Sequence, residues 1–212
     1  AEKEGQGGTG EDALHAEFDV LAGLPHSWPQ RMSAGVVASC DDSSDFPVGT
    51  GDNRNYGGTV KALQGVKGQL HWQEQPGEPL AAGQVRIKVA AAGLNRADLL
   101  QLAGLYPPPP GAPQTLGLEC SGIISEVGAG ASWQVGERVC ALLAGGGMAS
   151  EVVVDALHVL PVPEGLSLAE AAALPEVYAT AWLNLYRLAA LRPGEKVLLH
   201  AGASGVGSAA IQ

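Results

Sequence analysis

A run of small residues, HAGASGVGSAAIQ at positions 200–212, has the spacing of a dinucleotide-binding turn. In a GxGxxG pattern the first glycine permits a tight turn, the second lets the backbone approach a pyrophosphate, and the third lets a helix pack closely on a strand. Gly202 and Gly207 occupy the first and third positions, whereas Ser204 stands at the second, with Gly205 after it. The short motif alone fits a cofactor site and a plain strand-to-helix turn about equally well. The apolar run before it and the small residues after it favour the cofactor site.

A second group of polar residues lies around a predicted helix at NRADLLQLAG. Asn95 occupies the N-cap position, Asp98 three residues later completes a capping box, and Gly104 follows as the stop. The preceding stretch, QVRIKVAAAG, alternates polar and apolar residues as a half-buried strand does. The sequence therefore predicts a strand followed by a capped helix.

The cysteines and histidines do not form a metal-binding pattern. The three cysteines are widely spaced, include no CxxC pair, and are interpreted as buried small hydrophobes of a protein in a reducing cytosol: Cys40, Cys120 and Cys140. His71, His158 and His200 stand alone, without a second ligand at a suitable spacing. We interpret these three as surface or packed residues.

The chain of 212 residues has a formal net charge of −10, concentrated at its start, where residues 1–59 carry ten acidic and three basic side chains. An acidic balance without a basic stripe argues against nucleic acid and anionic membranes as partners. The sequence has no apolar run of membrane-spanning length and no signal-peptide pattern, so we expect a cytoplasmic protein. Apart from one short helix at 13–24, residues 1–59 are expected to form a disordered or irregular acidic extension.

Four strand-like runs broken by glycine follow the predicted helix: LECSGIISEVGAG, ERVCALLAGGG, ASEVVV and LHVLPVP. Short strands at this spacing predict a small, mostly antiparallel barrel or sandwich. Residues 60–165 are therefore assigned to one domain.

Residues 166–212 have a different pattern. Ser167 and Glu170 predict a capping box on an alanine-rich helix, and a second helix, EVYATAWLNLYRLAAL, ends before Pro193. EKVLLHA then predicts a buried parallel strand that leads into the glycine turn. Helix, strand, turn and helix in this order are the entry to a doubly wound sheet.

Five motifs, in this order along the chain, resemble the zinc-free quinone oxidoreductase branch of the medium-chain dehydrogenase/reductase superfamily. They are AAAGLNRADLLQLAGLYPPPPGA, LGLECSGIISEVGAG, LLAGGGMASEVVV, AAALPEVYATAW and HAGASGVGSAAIQ. The resemblance implies a mixed α/β fold, with a GroES-like β-barrel catalytic domain at 60–165. The beginning of a Rossmann-type, doubly wound dinucleotide-binding domain would follow at 166–212 and would be incomplete in this chain. Residues 1–59 resemble nothing in that family.

The resemblance also excludes the zinc-dependent branch. Zinc-dependent members carry a Gly-His-Glu motif whose histidine binds the metal, whereas this sequence has Gly117-Leu118-Glu119. No cysteine stands near Asn95, where their first cysteine ligand would lie, and the run of four close cysteines for structural zinc is missing. A catalytic zinc keeps three protein ligands, which this sequence does not assemble. We therefore expect no metal.

The resemblance further suggests which residues form the site. Tyr106 would be the phenolic donor beside the substrate, Asn95 would orient the nicotinamide or a bound water, and Asp98 would line the same cleft. Each of these residues could instead have a purely structural role. Asn95 and Asp98 could serve only to cap the helix, and the Tyr106 ring could pack under the proline run. Thr180 and Tyr178 would lie on a helix facing the nicotinamide, with core packing as their alternative. The pyrophosphate turn would comprise Ala201, Gly202, Ala203, Ser204, Gly205, Val206 and Gly207.

The implied activity is transfer of hydride from NADPH to a quinone or another α,β-unsaturated carbonyl, with hydrogen bonds instead of a metal meeting the developing negative charge. Two alternatives stay open: an enoyl reductase with the same hydride chemistry on a C=C bond, and a non-catalytic binding module like the lens crystallin relative of this branch. The residue that selects NAD or NADP usually lies about 20 positions after the turn, beyond Gln212, so NADPH rests on the resemblance alone. We expect the full-length protein to be a homodimer. Residues 1–212 alone are expected to bind NADPH poorly, to turn over no quinone and not to dimerise.

Overall fold

The computed structural model describes residues 36–37, 58–66 and 68–212. The short helix predicted at 13–24 and Cys40 lie outside the described residues. Within the described part, eight strands form two antiparallel sheets: β1 (Val36–Val37), β2 (Thr59–Val66), β3 (Gln69–Pro76), β4 (Gln84–Gly93), β5 (Glu119–Val127), β6 (Arg138–Leu142), β7 (Glu151–Asp155) and β8 (Val159–Pro161). The larger sheet has the order β1-β4-β5-β6-β8, with β7 also paired to β4, and β2 pairs with β3. Strands β5 to β8 confirm the four strand-like runs.

The β2–β3 hairpin is joined to the larger sheet through its first strand. The Leu63 N–H donates to the Met148 carbonyl over 2.8 Å, and the Leu63 carbonyl accepts from the Leu116 N–H over 3.1 Å. Val60 and Ala62 pack with Ala149 in a small buried cluster. Strand β3 is exposed along most of its length, so only one edge of the hairpin is anchored.

Strand β4 is more buried than its alternating sequence predicts. Arg86 is 1% exposed, since β4 has β5 along one edge and β7 along the other. Its Nη2 donates to the Glu78 carbonyl over 2.8 Å, and its Nε lies 3.5 Å from Glu126 Oε1. A buried guanidinium needs such partners to offset its lost hydration. Arg86 is thus buried although it occupies a polar position of the alternating pattern.

The described residues form four α-helices and one π-helix: α1 (Arg96–Leu102), α2 (Leu168–Ala171), α3 (Pro175–Trp182), the π-helix (Leu183–Leu188) and α4 (Gly205–Ile211). The capping box predicted for α2 is confirmed. Ser167 Oγ accepts from the Glu170 N–H over 3.2 Å, and Glu170 Oε2 accepts from the Ser167 N–H over 2.8 Å. Helix α3 begins with Pro175, whose missing N–H has no cost at the first helical position. None of these helices is both long enough and apolar enough to cross a membrane.

The segment before the glycine turn does not form the predicted strand. Residues 195–199 have no regular structure, and Leu198 is 81% exposed. A parallel strand forms only where a neighbouring strand supplies its hydrogen bonds. Because no strand among the described residues pairs with this segment, the prediction of a buried parallel strand is wrong for this structure.

Candidate active site

The N-terminus of α1 holds two of the polar residues predicted from the sequence. Asn95 is its N-cap, and Asp98 lies in its first turn. Asp98 Oδ2 accepts from the Asn95 backbone N–H over 2.8 Å, and Oδ1 accepts from the Gly117 backbone N–H over 3.0 Å. The capping box is confirmed, and Asp98 also fixes the loop at Gly117 against α1.

Glu119, the first residue of β5, contacts Asn95 from the barrel side. Its Oε1 accepts from Asn95 Nδ2 over 2.8 Å, and its Oε2 accepts from the backbone N–H of Glu176 over 2.9 Å. The residue is 1% exposed, and a carboxylate this deeply buried depends on its hydrogen bonds. One carboxylate therefore links the cap of α1 to the first turn of α3.

Burial changes the acid–base behaviour of these carboxyl groups. Burial raises the pKa of Glu119 to about 7, although the hydrogen bonds from Glu176 and Asn95 oppose the change. The charges of Glu176 and Asp98 add to the increase. Burial also raises the pKa of Asp98, against two backbone hydrogen bonds that lower it. Glu119 therefore exchanges between its acid and carboxylate forms near neutral pH.

An apolar cavity of about 220 Å³ lies beside α1. Asp98, Leu99 and Leu102 of α1 form one wall. The other walls come from the hairpin, β4 and two loops: Leu63, Leu70, Trp72, Val89, Ala92, Leu94, Leu116, Gly147, Met148 and Ala149. Of all these described residues, only Asp98 is charged. The cavity can therefore take a small apolar group next to the helix that Asn95 caps.

Tyr106 lies in the irregular proline-rich segment after α1 and is 42% exposed. It is not among the residues that line the cavity, and its hydroxyl makes no hydrogen bond with another described residue. The structure therefore does not join Tyr106 to Asn95 or Asp98. Its role as a phenolic donor stays a prediction.

Tyr178 and Thr180 lie two residues apart on α3 and have different surroundings. Tyr178 packs against the buried Leu142 and Leu174, and burial raises the pKa of its phenol. Thr180 Oγ1 instead lies 3.3 Å from Glu176 Oε1, with the hydroxyl as donor. Tyr178 thus has the contacts of its structural alternative, core packing, while its role beside the nicotinamide stays a prediction. Thr180 is bonded to Glu176, the residue whose backbone N–H donates to Glu119.

Residues 201–207 form the predicted turn into α4. Ser204 is the N-cap, and its Oγ accepts from the Gly207 N–H over 3.0 Å. A Cβ atom on Gly207 would collide with the Ala201 carbonyl oxygen and lie 2.7 Å from Gly202 Cα. Gly207 therefore permits a close approach of helix and preceding chain, which is the role of the third glycine in the fingerprint.

Helix α4 packs directly on α3. Val206 and Ala209 contact Val177 and Ala181 in a shared apolar cluster. A Cβ on Gly205 would lie 2.9 Å from Val177 Cγ1, so this position also needs a small residue. Ala203 lies within the turn between Gly202 and the N-cap. Thr180 lies on α3 and the glycine turn leads into α4, so the contact between these two helices brings the two parts of the predicted cofactor site into one unit.

Comparison with known proteins identifies the fold. Residues 81–164 match the alcohol dehydrogenase GroES-like domain. The chain is similar to the CurK enoyl reductase, with a TM-score of 0.65 and 39% identity over 72% of this chain and 50% of that one. It is also similar to the quinone oxidoreductase from Coxiella burnetii, with a TM-score of 0.64 and 29% identity over 73% and 52%. The chain therefore contains an alcohol dehydrogenase GroES-like domain and shares the fold of these two proteins. The predicted mixed α/β fold with a GroES-like domain is confirmed.

Relatives of known sequence include much longer proteins. The phenolphthiocerol synthesis polyketide synthase type I Pks15/1 of Mycobacterium marinum is 47% identical over 194 residues, which are 91% of this chain and 9% of that protein. The synaptic vesicle membrane protein VAT-1 homolog of Danio rerio is 41% identical over 163 residues, or 76% of this chain and 34% of that protein. The chain therefore spans only part of the length of each relative. Quinone oxidoreductases and enoyl reductases both occur among its structural neighbours.

The described residues contain no group of three or more His, Cys, Asp or Glu side chains that could hold a metal ion. Cys120 and Cys140 are free and buried, and burial raises the pKa of both thiols. Both cysteines are buried small residues, as predicted.

Glu119 is the functional candidate that the sequence motifs did not single out. In the sequence it stands out only as the third residue of Gly117-Leu118-Glu119. A usable signal was its place at the start of an apolar strand, because a charged residue in a buried strand indicates a specific partner. The partners themselves were not accessible from sequence, since Asn95 lies 24 residues away and Glu176 lies 57 residues away.

Proposed function

We propose that the protein containing this chain is a zinc-free, NADPH-dependent enoyl reductase that reduces the C=C bond of an α,β-unsaturated thioester. The observation that carries the proposal is sequence likeness: 47% identity to a polyketide synthase over 91% of this chain and 39% to the CurK enoyl reductase. Both values exceed the 29% identity to the Coxiella burnetii quinone oxidoreductase. The apolar cavity beside α1 suits an acyl chain better than a charged substrate.

The chain's own residues would supply the polar contacts of the reaction. The nicotinamide, when bound, supplies hydride to the substrate β-carbon while a proton enters at the α-carbon. Asn95 would orient the nicotinamide or a water that donates to the substrate carbonyl, and Tyr106 would be the phenolic donor. Asp98 would act by positioning Asn95, because both of its carboxylate oxygens accept backbone N–H groups.

Residues 201–207 would hold the cofactor pyrophosphate. The supporting observation is the approach of Gly207 to Ala201 and Gly202, which no side chain could accommodate. Thr180, on the neighbouring helix, would contact the nicotinamide side of the cofactor. Tyr178 would support that helix from the core. NADPH is proposed over NADH on the resemblance to the zinc-free branch.

A quinone reductase is the second candidate, favoured by the structural likeness to the Coxiella burnetii protein. The hydride would come from the same cofactor, but negative charge would develop on a quinone oxygen. A non-catalytic module remains the alternative if NADPH binds without turnover.

The test compares substrates in the full-length protein. NADPH absorbance is followed with a crotonyl thioester of N-acetylcysteamine and with para-benzoquinone, each with and without EDTA. We expect kcat/KM for the thioester to exceed that for the quinone by ~10-fold, with no effect of EDTA. Faster turnover of the quinone would establish the second candidate instead. Activity lost on chelation and restored by zinc would overturn the zinc-free mechanism, and binding without turnover would indicate the module.

A further inference from the structure

Glu119 lies where two helix N-termini meet. Its two carboxylate oxygens accept from different elements, Oε1 from the Asn95 side chain at the cap of α1 and Oε2 from the Glu176 backbone in the first turn of α3. Asn95 belongs to the barrel side of the candidate site. Helix α3 carries Thr180 and packs against the glycine-turn helix α4. Through one side chain, Glu119 is thus bonded to the cap of α1 and to the first turn of α3.

The surrounding chain leaves this carboxylate little freedom. Gly93, at the end of β4, has no side chain, and a Cβ there would collide with Glu119 Oε1 and lie 2.6 Å from Glu119 Cδ. The side chain is therefore held between β4, α1 and α3. A rigid acceptor in this place fixes the rotation of the Asn95 amide, because Nδ2 must point at Oε1.

We propose that Glu119 is a positioning residue that orients the Asn95 amide and couples it to helix α3, so that the substrate and cofactor sides of the site are set together. The inference rests on the proposed function for the roles of Asn95 and Thr180. It assigns Glu119 no contact with substrate or cofactor. Its effect on the reaction passes through Asn95 and the first turn of α3.

The ionised and protonated forms of Glu119 differ in what they can hold. A carboxylate accepts both N–H groups, whereas a protonated carboxyl must give up one of them or turn its hydroxyl elsewhere. The ionisable groups that act on its charge are Asp98 on α1 and Glu176 on α3, both acidic. The buried thiols of Cys120 on β5 and Cys140 on β6 also experience that charge. Burial is the main cause that favours the protonated form, and the two acidic neighbours add to it; together they raise the pKa of Glu119 to about 7.

The first test uses Glu119→Gln in the full-length protein, with Glu170→Gln as a matched control. Glutamine keeps the shape but accepts at only one position, while glutamine at 170 can still complete the exposed capping box of α2. We expect wild-type kcat to decrease as the pH falls below about 7. In Glu119→Gln, kcat should be ~10-fold lower and independent of pH, and Glu170→Gln should match the wild type. A Glu119→Gln enzyme with wild-type kcat and pH profile would overturn the proposal.

The second test requires neither a variant of Glu119 nor turnover. The side-chain amide signal of Asn95, assigned by its loss in Asn95→Ala, is followed by NMR in the wild-type protein as the pH changes. We expect the signal to shift with a midpoint near 7. An amide signal that does not titrate between about pH 5 and 9 would overturn the coupling. If the signal titrates but no acceptor is reduced, the coupling is supported and the proposed function alone fails.

Discussion

Asn95 Nδ2 donates a hydrogen bond to Glu119 Oε1 over 2.8 Å, joining the cap of a helix to a carboxylate that is 1% exposed. The same carboxylate accepts from the Glu176 N–H at the start of α3. The polar side chain that caps α1, a helix that forms one wall of the apolar cavity, thus has its orientation fixed by a carboxylate of β5. This hydrogen bond links Asn95, which the sequence predicted as a site residue, to Glu119, which the sequence motifs did not identify.

Replacement of Asn95 tests its place in the site. In Asn95→Ala the Glu119 carboxylate loses one of its two donors, which costs about 1–3 kcal/mol of stability for a buried acceptor. We expect kcat for the thioester to fall by ~10-fold or more, because the amide that orients its partner is gone. Steady-state kinetics and urea unfolding measure the two effects. Gln101→Ala is the control, at a half-buried glutamine of the same helix whose side chain donates to the Gln114 carbonyl, and equal activity in both variants would contradict the role of Asn95.

The free energy of unfolding should depend on pH through Glu119. Its pKa in the folded state, about 7, is above the value of 4.5 for an unburied glutamate, so the folded protein binds more protons between these values. The free energy of unfolding should therefore decrease as the pH rises from 4.5 to 7, by on the order of 3 kcal/mol. Urea denaturation across this range measures the slope, and Glu119→Gln should reduce it. A slope unchanged in Glu119→Gln would assign the effect to other groups.

The glycine turn offers a matched pair of substitutions. Gly207→Ala should destabilise the protein, because the new methyl would collide with the Ala201 carbonyl oxygen. Gly202→Ala has more room, with Ile211 Cδ1 at 3.4 Å as its nearest neighbour, so its melting temperature should be close to that of the wild type. If the turn binds a pyrophosphate, Gly202→Ala should still raise the KM for NADPH by ~10-fold. A wild-type KM for NADPH in a folded Gly202→Ala protein would count against this cofactor site.

The cavity wall can be altered without touching the core. Trp72 lines the cavity but is 57% exposed, so Trp72→Ala should change the free energy of unfolding by only about 1 kcal/mol. We expect KM to rise several-fold for an octenoyl thioester and to change less for a crotonyl thioester, since the longer chain uses more of the wall. Leu157→Ala, at an exposed leucine that does not line the cavity, is the control. Equal KM changes for both chain lengths would contradict binding of the acyl chain in this cavity.

Local signals in the sequence predicted most of the fold. The capping boxes at Asn95 and Ser167 were identified from residue types three positions apart, because capping is a local interaction. Glycine-bounded apolar runs likewise predicted β5 to β8. The strand predicted before the glycine turn failed because a parallel strand depends on neighbours that no local pattern contains. The burial of Arg86 was not predictable for a related reason, since its partners, the Glu78 carbonyl and Glu126, lie outside β4.

The candidate site was only partly predictable. Asn95 and Asp98 were found, but the acceptor that holds Asn95 comes from β5 and its second donor comes from α3. Such contacts depend on how elements pack, not on spacing along the chain. Tyr106 differs from Glu119 in this respect. The family resemblance suggested it as a site residue, but in the structure it is 42% exposed and makes no hydrogen bond with Asn95.

The central claim is hydride transfer from NADPH to a conjugated carbonyl compound without a metal, and isotope transfer tests it most directly. Full-length protein is incubated in EDTA with a crotonyl thioester and NADPH that carries deuterium at either face of nicotinamide C4. We expect one of the two labelled cofactors to deliver deuterium to the β-carbon of the butyryl product, while the other leaves it unlabelled. Product without deuterium from either cofactor, or product formed only after zinc is added, would contradict it.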